Sequence, residues 1–230
     1  MTRIAIIPAR GQSKRLPKKN IIKIDNKPLI GYPIEQANQT GLFDEVFVST
    51  EDEEIAEISK SFGAKIINRP NELATDTATI NEVCLHALKV IHNVETFCMI
   101  YATAFLLKTS SILESFQMLD RDPQTDFVIG TSTFENHPFK AMTIDDKGFL
   151  KALHPELINM KSQFYPEVFA NNGTFQWARS DAFRIEKTFT GIKSKSYLVP
   201  RNQVSDIDTM NDLNIFKKKY FLSKKKKFSS

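Results

Sequence analysis

Two short stretches, one near each end of the chain, hold the side chains best suited to chemistry. The first runs Pro8-Ala9-Arg10-Gly11-Gln12-Ser13-Lys14-Arg15-Leu16-Pro17-Lys18-Lys19-Asn20. Arg10, Lys14, Arg15, Lys18 and Lys19 stand there with Gly11 and Ser13. Fixed cations and backbone N–H groups on a flexible loop suit spread anionic charge such as that of a triphosphate. The spacing is neither the Gly-x-x-x-x-Gly-Lys-Ser/Thr of a Walker loop nor the Gly-x-Gly-x-x-Gly of a dinucleotide site. A basic loop that is merely solvated is the competing reading.

The second stretch is Ser205-Asp206-Ile207-Asp208-Thr209. Carboxylates at i and i+2 of an extended segment point to the same side and could share one hard cation. Magnesium commonly takes one or two protein carboxylates and completes its shell with phosphate oxygens. The alternative is a polar strand end in which Asp208 or Thr209 caps a helix over residues 211–216. A phosphate loop and a carboxylate pair together suit nucleotidyl transfer, and would equally serve a kinase or a phosphatase.

The elements that must position these stretches alternate. Ile4-Ala5-Ile6-Ile7, Val46-Phe47-Val48-Ser49, Lys65-Ile66-Ile67, Phe97-Cys98-Met99-Ile100-Tyr101 and Phe127-Val128-Ile129-Gly130 are short apolar runs of the kind a parallel strand buried on both faces needs. Between them lie helical patterns. One follows Glu51-Asp52-Glu53-Glu54, with Gly63 at its end; another covers 79–91 with an apolar stripe from Ile80 to Ile91; a third covers 112–119. This order argues for an α/β fold, a mostly parallel sheet with helices on both faces, binding ligands beyond the carboxyl ends of its strands. The loops after Ile7, Val48 and Ile100 are expected to meet there. Pro28 suits a helix start, but Pro33 would break a helix begun that early, so a kink or a later start is expected.

From about Thr131 the rhythm changes. Met142-Thr143-Ile144 and Phe149-Leu150-Lys151-Ala152-Leu153 flank Asp145-Asp146-Lys147-Gly148, the pattern of a β-hairpin. The polar stretch 154–172 continues it as a loop or arm. One domain over 1–220 is expected, with an inserted arm at 137–172 and a basic tail at 221–230.

The 230 residues are ample for one α/β core, and the net charge of +4 is misleading. Lys217, Lys218, Lys219 and Lys224 to Lys227 crowd the C-terminal end, which leaves the body near neutral and gives no argument for a nucleic-acid partner. No apolar run is long enough to span a bilayer or form a signal peptide, so a cytoplasmic chain without membrane insertion is expected. Cys84 and Cys98 are expected as core thiols, and Phe175 and Trp177 as core or dimer contacts.

The loop from Ile6 to Asn20 resembles the opening motif of the CMP-sialic acid synthetase (acylneuraminate cytidylyltransferase) family. The resemblance continues through Lys27-Pro28-Leu29-Ile30, residues 43–50, Arg69-Pro70-Asn71-Glu72-Leu73-Ala74-Thr75-Asp76-Thr77, His137-Pro138-Phe139-Lys140, Asn172-Gly173 and Asp206-Ile207-Asp208-Thr209. Tyr101-Ala102-Thr103-Ala104 and the segment from Lys161-Ser162-Gln163 to Gly173 are most similar to its pseudaminic acid branch.

The resemblance implies a Rossmann-like nucleotidyltransferase fold with an inserted β-hairpin or dimerisation arm, usually a homodimer whose arm completes the partner's sugar pocket. It implies attack of the anomeric hydroxyl of an acidic nine-carbon sugar on the α-phosphate of CTP, with Mg2+ as cofactor and pyrophosphate departing. By position, Arg10, Gly11, Ser13, Lys14 and Lys19 would hold the triphosphate, while Asn20 and Arg69 help seat the nucleotide. Arg10 and Lys19 would also bear on catalysis. Thr103 lies in the block that faces cytosine, and Asp206 and Asp208 would coordinate the metal, with Asp206 assisting deprotonation. Lys140, Lys161 and Gln163 would lie toward the sugar.

Four positions depart from the family pattern: Gln12 for glycine, Phe105 for proline, and Lys161 and Asn171 where the pseudaminic branch shows Arg and Asp. Lysine is a poorer bidentate partner for a carboxylate than arginine. The departures are expected in the sugar half of the site. N-acetylneuraminate, legionaminate and KDO therefore stand as alternative sugars. Rivals of other kinds are a silent nucleotide-binding regulatory protein and a salt-sensitive RNA or membrane-surface binder acting through the C-terminal lysines.

Overall fold

The strand that carries the basic loop sits in the middle of the sheet because it is apolar on both sides. In the computed structural model, which describes residues 2–227, β1 (Thr2–Pro8) buries Ile4 and Ile6 on one face and Ala5 and Ile7 on the other. The remaining elements follow in chain order: β2 (Lys23–Ile24), β3 (Lys27–Pro28), α1 (Gly31–Gln39), β4 (Glu45–Thr50), α2 (Glu53–Ser61), β5 (Lys65–Asn68), α3 (Ile80–Val90), β6 (Val94–Ile100) and α4 (Thr109–Asp120). Then come β7 (Phe127–Thr133), β8 (Met142–Ile144), β9 (Leu150–Ala152), β10 (Phe169–Arg179), α5 (Ser180–Glu186), β11 (Ser194–Leu198) and α6 (Met210–Lys227).

The main sheet has the order β11-β7-β10-β6-β1-β4-β5. All neighbours are parallel except β10, which runs antiparallel to both β6 and β7. Ile34 and Ala37 of α1, Ile55 of α2, and Ile112 and Leu119 of α4 cover one face. Cys84, Ala87 and Leu88 of α3 and Phe183 of α5 cover the other. The expected parallel sheet with helices on both faces is present, and Cys84 and Cys98 are buried free thiols.

Three expectations are corrected in detail, and the later helix start is borne out. Pro28 belongs to the small β2–β3 ribbon rather than to a helix start. The helix begins at Gly31, so Pro33 falls in its first turn, where no intrahelical N–H is lost. The hairpin forms as expected, but 169–172 belong to β10 rather than to the arm. The helix expected over 211–216 runs on through Lys227, so residues 221–227 continue α6; 228–230 lie outside the described residues.

A third apolar cluster joins the basic loop to α6. Leu16, Ile24, Leu29, Tyr32, Phe105, Ile207 and Leu213 pack together, with Phe216 and Tyr220 against them. Phe105 stacks edge-on to Tyr32 with ring centroids 5.7 Å apart. Its departure from the family's proline thus fills a core and does not face the sugar half of the site.

Candidate functional site

β1, β4 and β6 run parallel and end at one edge, so the loops after them converge there, as expected from the sequence. Asn20 donates from its side chain to the Arg10 carbonyl at 2.9 Å, which folds the basic loop back over the end of β1. The Gly11 N–H donates to Glu51 Oε1 at 2.7 Å, holding the loop against the turn after β4. Asp52, beside it, caps α2 by accepting from the Ile55 N–H at 2.9 Å.

Arg69 follows β5 and is buried. Its guanidinium donates to the Ser49 carbonyl at 2.6 Å and to Ser49 Oγ at 3.2 Å. Burial lowers its pKa, and the nearby Glu51 carboxylate opposes that shift. Thr103, in the loop after β6, accepts from Ser205 Oγ at 2.7 Å through its carbonyl. That bond ties the block expected to face a base to the segment that carries the carboxylate pair.

The pair itself is positioned by one buried side chain. Ile207 is fully buried in the third cluster, so Asp206 and Asp208 turn away from it toward the loop edge. Asp206 is exposed overall, yet its carboxyl is raised above the usual carboxylate range, first by partial desolvation and then by the Asp208 charge. β10 loses its register with β7 between Asn171 and Gln176. Gly173, at φ +65°, passes so near that a Cβ there would lie 3.9 Å from Asp206 Oδ1. Thr209 and Asp212 form a reciprocal cap on α6, with Asp212 N–H to Thr209 Oγ1 at 3.2 Å and Thr209 N–H to Asp212 Oδ2 at 2.8 Å. The carboxylate pair and the helix cap anticipated as alternatives therefore coexist.

Two adjoining cavities occupy this edge. One of about 250 Å3 is lined by Arg69, Tyr101, Ala102 and Thr103 along with Arg10 and Asn20. The other, about 390 Å3, is lined by Arg10, Ser13, Lys14, Arg15, Lys19 and Asp208 among others. One is suited to a base and ribose, the other to a chain of phosphates. Asn171 borders a third, about 210 Å3, with Asn81, Tyr101, Gln176 and Thr190. Tyr101 is common to the first and third.

The sugar-side expectations lie elsewhere. Lys140, Lys161 and Gln163 are exposed in the arm, where Lys140 Nζ donates to Ser162 Oγ at 3.0 Å, and none lines these three cavities. His137 stacks on Tyr165 with centroids 4.4 Å apart and its ring nitrogen meets the Pro166 carbonyl, contacts that serve the packing of the arm. Phe175 and Trp177 are core residues.

Three contacts were not anticipated in the sequence reading. Asp76 pairs with Arg10 at 2.8 Å and Lys14 at 2.5 Å. Arg15 pairs with Asp208 at 2.8 Å. Glu51 takes the Gly11 N–H. Asp76 sits in a motif block that the family resemblance already marked; nothing in local sequence marks Glu51.

Among the described residues no cluster of three or more metal-ligating side chains occurs. Two hard carboxylates held side by side, one of them disfavoured as an anion by the other, fit a cation that takes its remaining ligands from phosphate. The family model for cytidylyltransferases matches residues 4–219. A pseudaminic acid cytidylyltransferase of Campylobacter jejuni is 33% identical over 94% of this chain and 95% of its own length. An N-acylneuraminate cytidylyltransferase of Escherichia coli is 31% identical over 92% of this chain and 50% of its own length. A CMP:2-keto-3-deoxy-manno-octonic acid synthetase solved with CTP superposes with a TM-score of 0.74 at 16% identity, over 98% of this chain and 100% of that one. A cytidylyltransferase from Leptospira borgpetersenii gives 0.64 at 16% identity, over 94% and 85%. At these identities the two solved structures speak for the fold, and the match from residue 4 to residue 219 speaks for more: the chain belongs to the cytidylyltransferase family.

Proposed function

We propose that this chain transfers CMP from CTP to the anomeric hydroxyl of a nonulosonic acid, with pseudaminic acid favoured, and releases pyrophosphate. One observation carries the reading: the basic loop, buried Arg69, the Thr103 loop and Asp208 meet at the same sheet edge, with Asp206 within electrostatic reach of Asp208 and Lys19. The pseudaminic acid relative, matched over nearly the whole of both chains, supports the sugar assignment.

In the reaction the sugar hydroxyl oxygen bonds to the α-phosphorus while the bond to the bridging oxygen of the β-phosphate breaks. Arg10, Lys14 and Lys19 would hold the departing pyrophosphate and offset its growing charge. Asp206 would assist deprotonation of the hydroxyl. Magnesium held by Asp206 and Asp208 would supply further charge stabilisation at the phosphate oxygens. The sugar would extend past Tyr101 toward the Asn171–Gln176 cavity. Lys140, Lys161 and Gln163 would reach a sugar from the arm of a second copy. Ile144, Phe149, Leu150 and Leu153 on that arm are 70%, 67%, 66% and 56% exposed, an apolar surface that a homodimer would cover. We place the reaction in one domain over 1–220, with α6 continuing past it to Lys227, and in the cytoplasm.

Pyrophosphate release from CTP and magnesium, with pseudaminic, legionaminic, N-acetylneuraminic and KDO sugars offered separately, tests the proposal. Release with pseudaminic acid and CTP, and not with ATP or GTP, is expected. Release with another sugar alone would overturn the sugar assignment, and none from a folded, CTP-binding chain would overturn the activity.

A further inference from the structure

Every cation of the basic loop is already held by a carboxylate in this chain. Lys18 meets Glu54, Arg15 and Lys19 meet Asp208, and Arg10 and Lys14 meet Asp76. Asp208 has another use, since a cation it binds would release Arg15 and Lys19 to phosphate. Asp76 has none of that kind. Its two oxygens are divided between the cations as two oxygens of one phosphate would be, Oδ1 to Arg10 Nη1 at 2.8 Å and Oδ2 to Lys14 Nζ at 2.5 Å. Those contacts hold its carboxyl below the usual range, so it stays anionic at neutral pH.

Asp76 also stands where the two cavities join, lining both along with Arg10, Lys19 and Asn20. It is carried by the loop between the short helix Asn71–Leu73 and the Thr79 cap of α3. A triphosphate laid along the basic loop would meet this carboxylate as a like charge between the two cations it needs.

We propose that Asp76 is an internal stand-in for phosphate, a latch that occupies Arg10 and Lys14 in the empty site and is displaced by the triphosphate. The inference rests on reading the basic loop as the triphosphate site. A triphosphate carries enough charge to displace one carboxylate, whereas the single phosphodiester of a CMP-sugar does not. Once pyrophosphate leaves, Asp76 returns to the cation pair and weakens the grip on product. The latch would thus lower ground-state affinity for phosphates and favour turnover.

The test is calorimetric titration of the full chain with inorganic tripolyphosphate and with CTP, comparing wild type, Asp76→Asn and Asp76→Glu. Asp76 is partly exposed, so Asp76→Asn should fold, and circular dichroism checks that it does. Loss of two exposed ion pairs should tighten tripolyphosphate and CTP by about tenfold in Asp76→Asn, while Asp76→Glu stays near wild type. Hydrogen exchange at 74–78 should rise when tripolyphosphate binds wild type, and should already be raised in ligand-free Asp76→Asn. Equal or weaker binding by Asp76→Asn overturns the latch and leaves the triphosphate site standing. Failure of folded wild type to bind either ligand overturns both.

Discussion

Lys19 Nζ donates to the Ile207 carbonyl at 2.6 Å and lies 3.3 Å from Asp208 Oδ1, across a separation of 188 residues. The contact joins the basic loop to the carboxylate segment, so the two halves of the chemistry are held by one ammonium group. Lys19 is the least exposed of the loop's lysines, with 21% of its side chain accessible, whereas Lys14 and Lys18 show 80% and 69%. It is held at depth, whereas Lys14 and Lys18 make their ion pairs in exposed positions.

Lys19→Ala should therefore reduce kcat more than loss of Lys14 or Lys18. Removing one fixed donor to developing charge costs about 100- to 1,000-fold in kcat. Lys19→Arg should recover part of this. Steady-state pyrophosphate release with CTP varied is the measurement, and a kcat for Lys19→Ala within about threefold of wild type would remove Lys19 from the catalytic machinery.

The sequence made this meeting legible only in part. Buried strands such as β1 and β6 announce themselves as apolar runs, and the loops that follow them must share an edge in a parallel sheet. Asp206 and Asp208 were visible as a pair because Ile207 between them imposes the alternation. β11, with its sequence Ser-Lys-Ser-Tyr-Leu, was not visible, since an edge strand keeps half its surface in water and needs no apolar run. Nor was Glu51, whose acid looks like helix-start chemistry. Asp52 does that work, and only the fold puts Glu51 against the Gly11 N–H. Phe105 shows the reverse error, because a departure from a binding motif proved to be a packing residue.

Asp206 carries a stability cost that its substitution should reveal. Its folded-state pKa is raised, so between the unfolded and folded values the folded chain binds more protons, and stability falls as pH rises through that window. Above it the cost is fully present. Asp206→Asn should raise Tm at pH 7 without added metal, show no gain at pH 3, and suppress turnover. Thermal melts at both pH values check this, and an unchanged or lower Tm at pH 7 would contradict the assigned strain.

Trp177 anchors the core of the sheet and lines none of the three cavities. It is fully buried, stacks on Phe43 with centroids 5.3 Å apart, and donates from Nε1 to Ser115 Oγ at 3.0 Å. Trp177→Ala should cost about 3–5 kcal/mol of unfolding free energy, and Trp177→Phe roughly 1–2 kcal/mol. Denaturant unfolding measures both. CTP affinity of folded Trp177→Phe should match wild type, and a marked loss would show that the core and the site are coupled.

Gly11 is required by close approach and not by its backbone angle. A Cβ there would lie 2.4 Å from Asp52 Oδ2 and 2.8 Å from Asp52 Cβ, distances that force a shift. Either the loop lifts off Glu51 or Asp52 abandons its cap on α2. Gly11→Ala should thus weaken CTP binding by about tenfold and lose on the order of 1 kcal/mol of stability if the cap is broken. Asp52→Gly removes the obstructing side chain, and glycine at an N-cap costs only a few tenths of a kcal/mol relative to aspartate. The double variant should therefore regain most of the CTP affinity that Gly11→Ala loses. Titration of the three variants decides it, because a double variant no better than Gly11→Ala would mean that Gly11 serves the phosphate directly and not the docking of its loop.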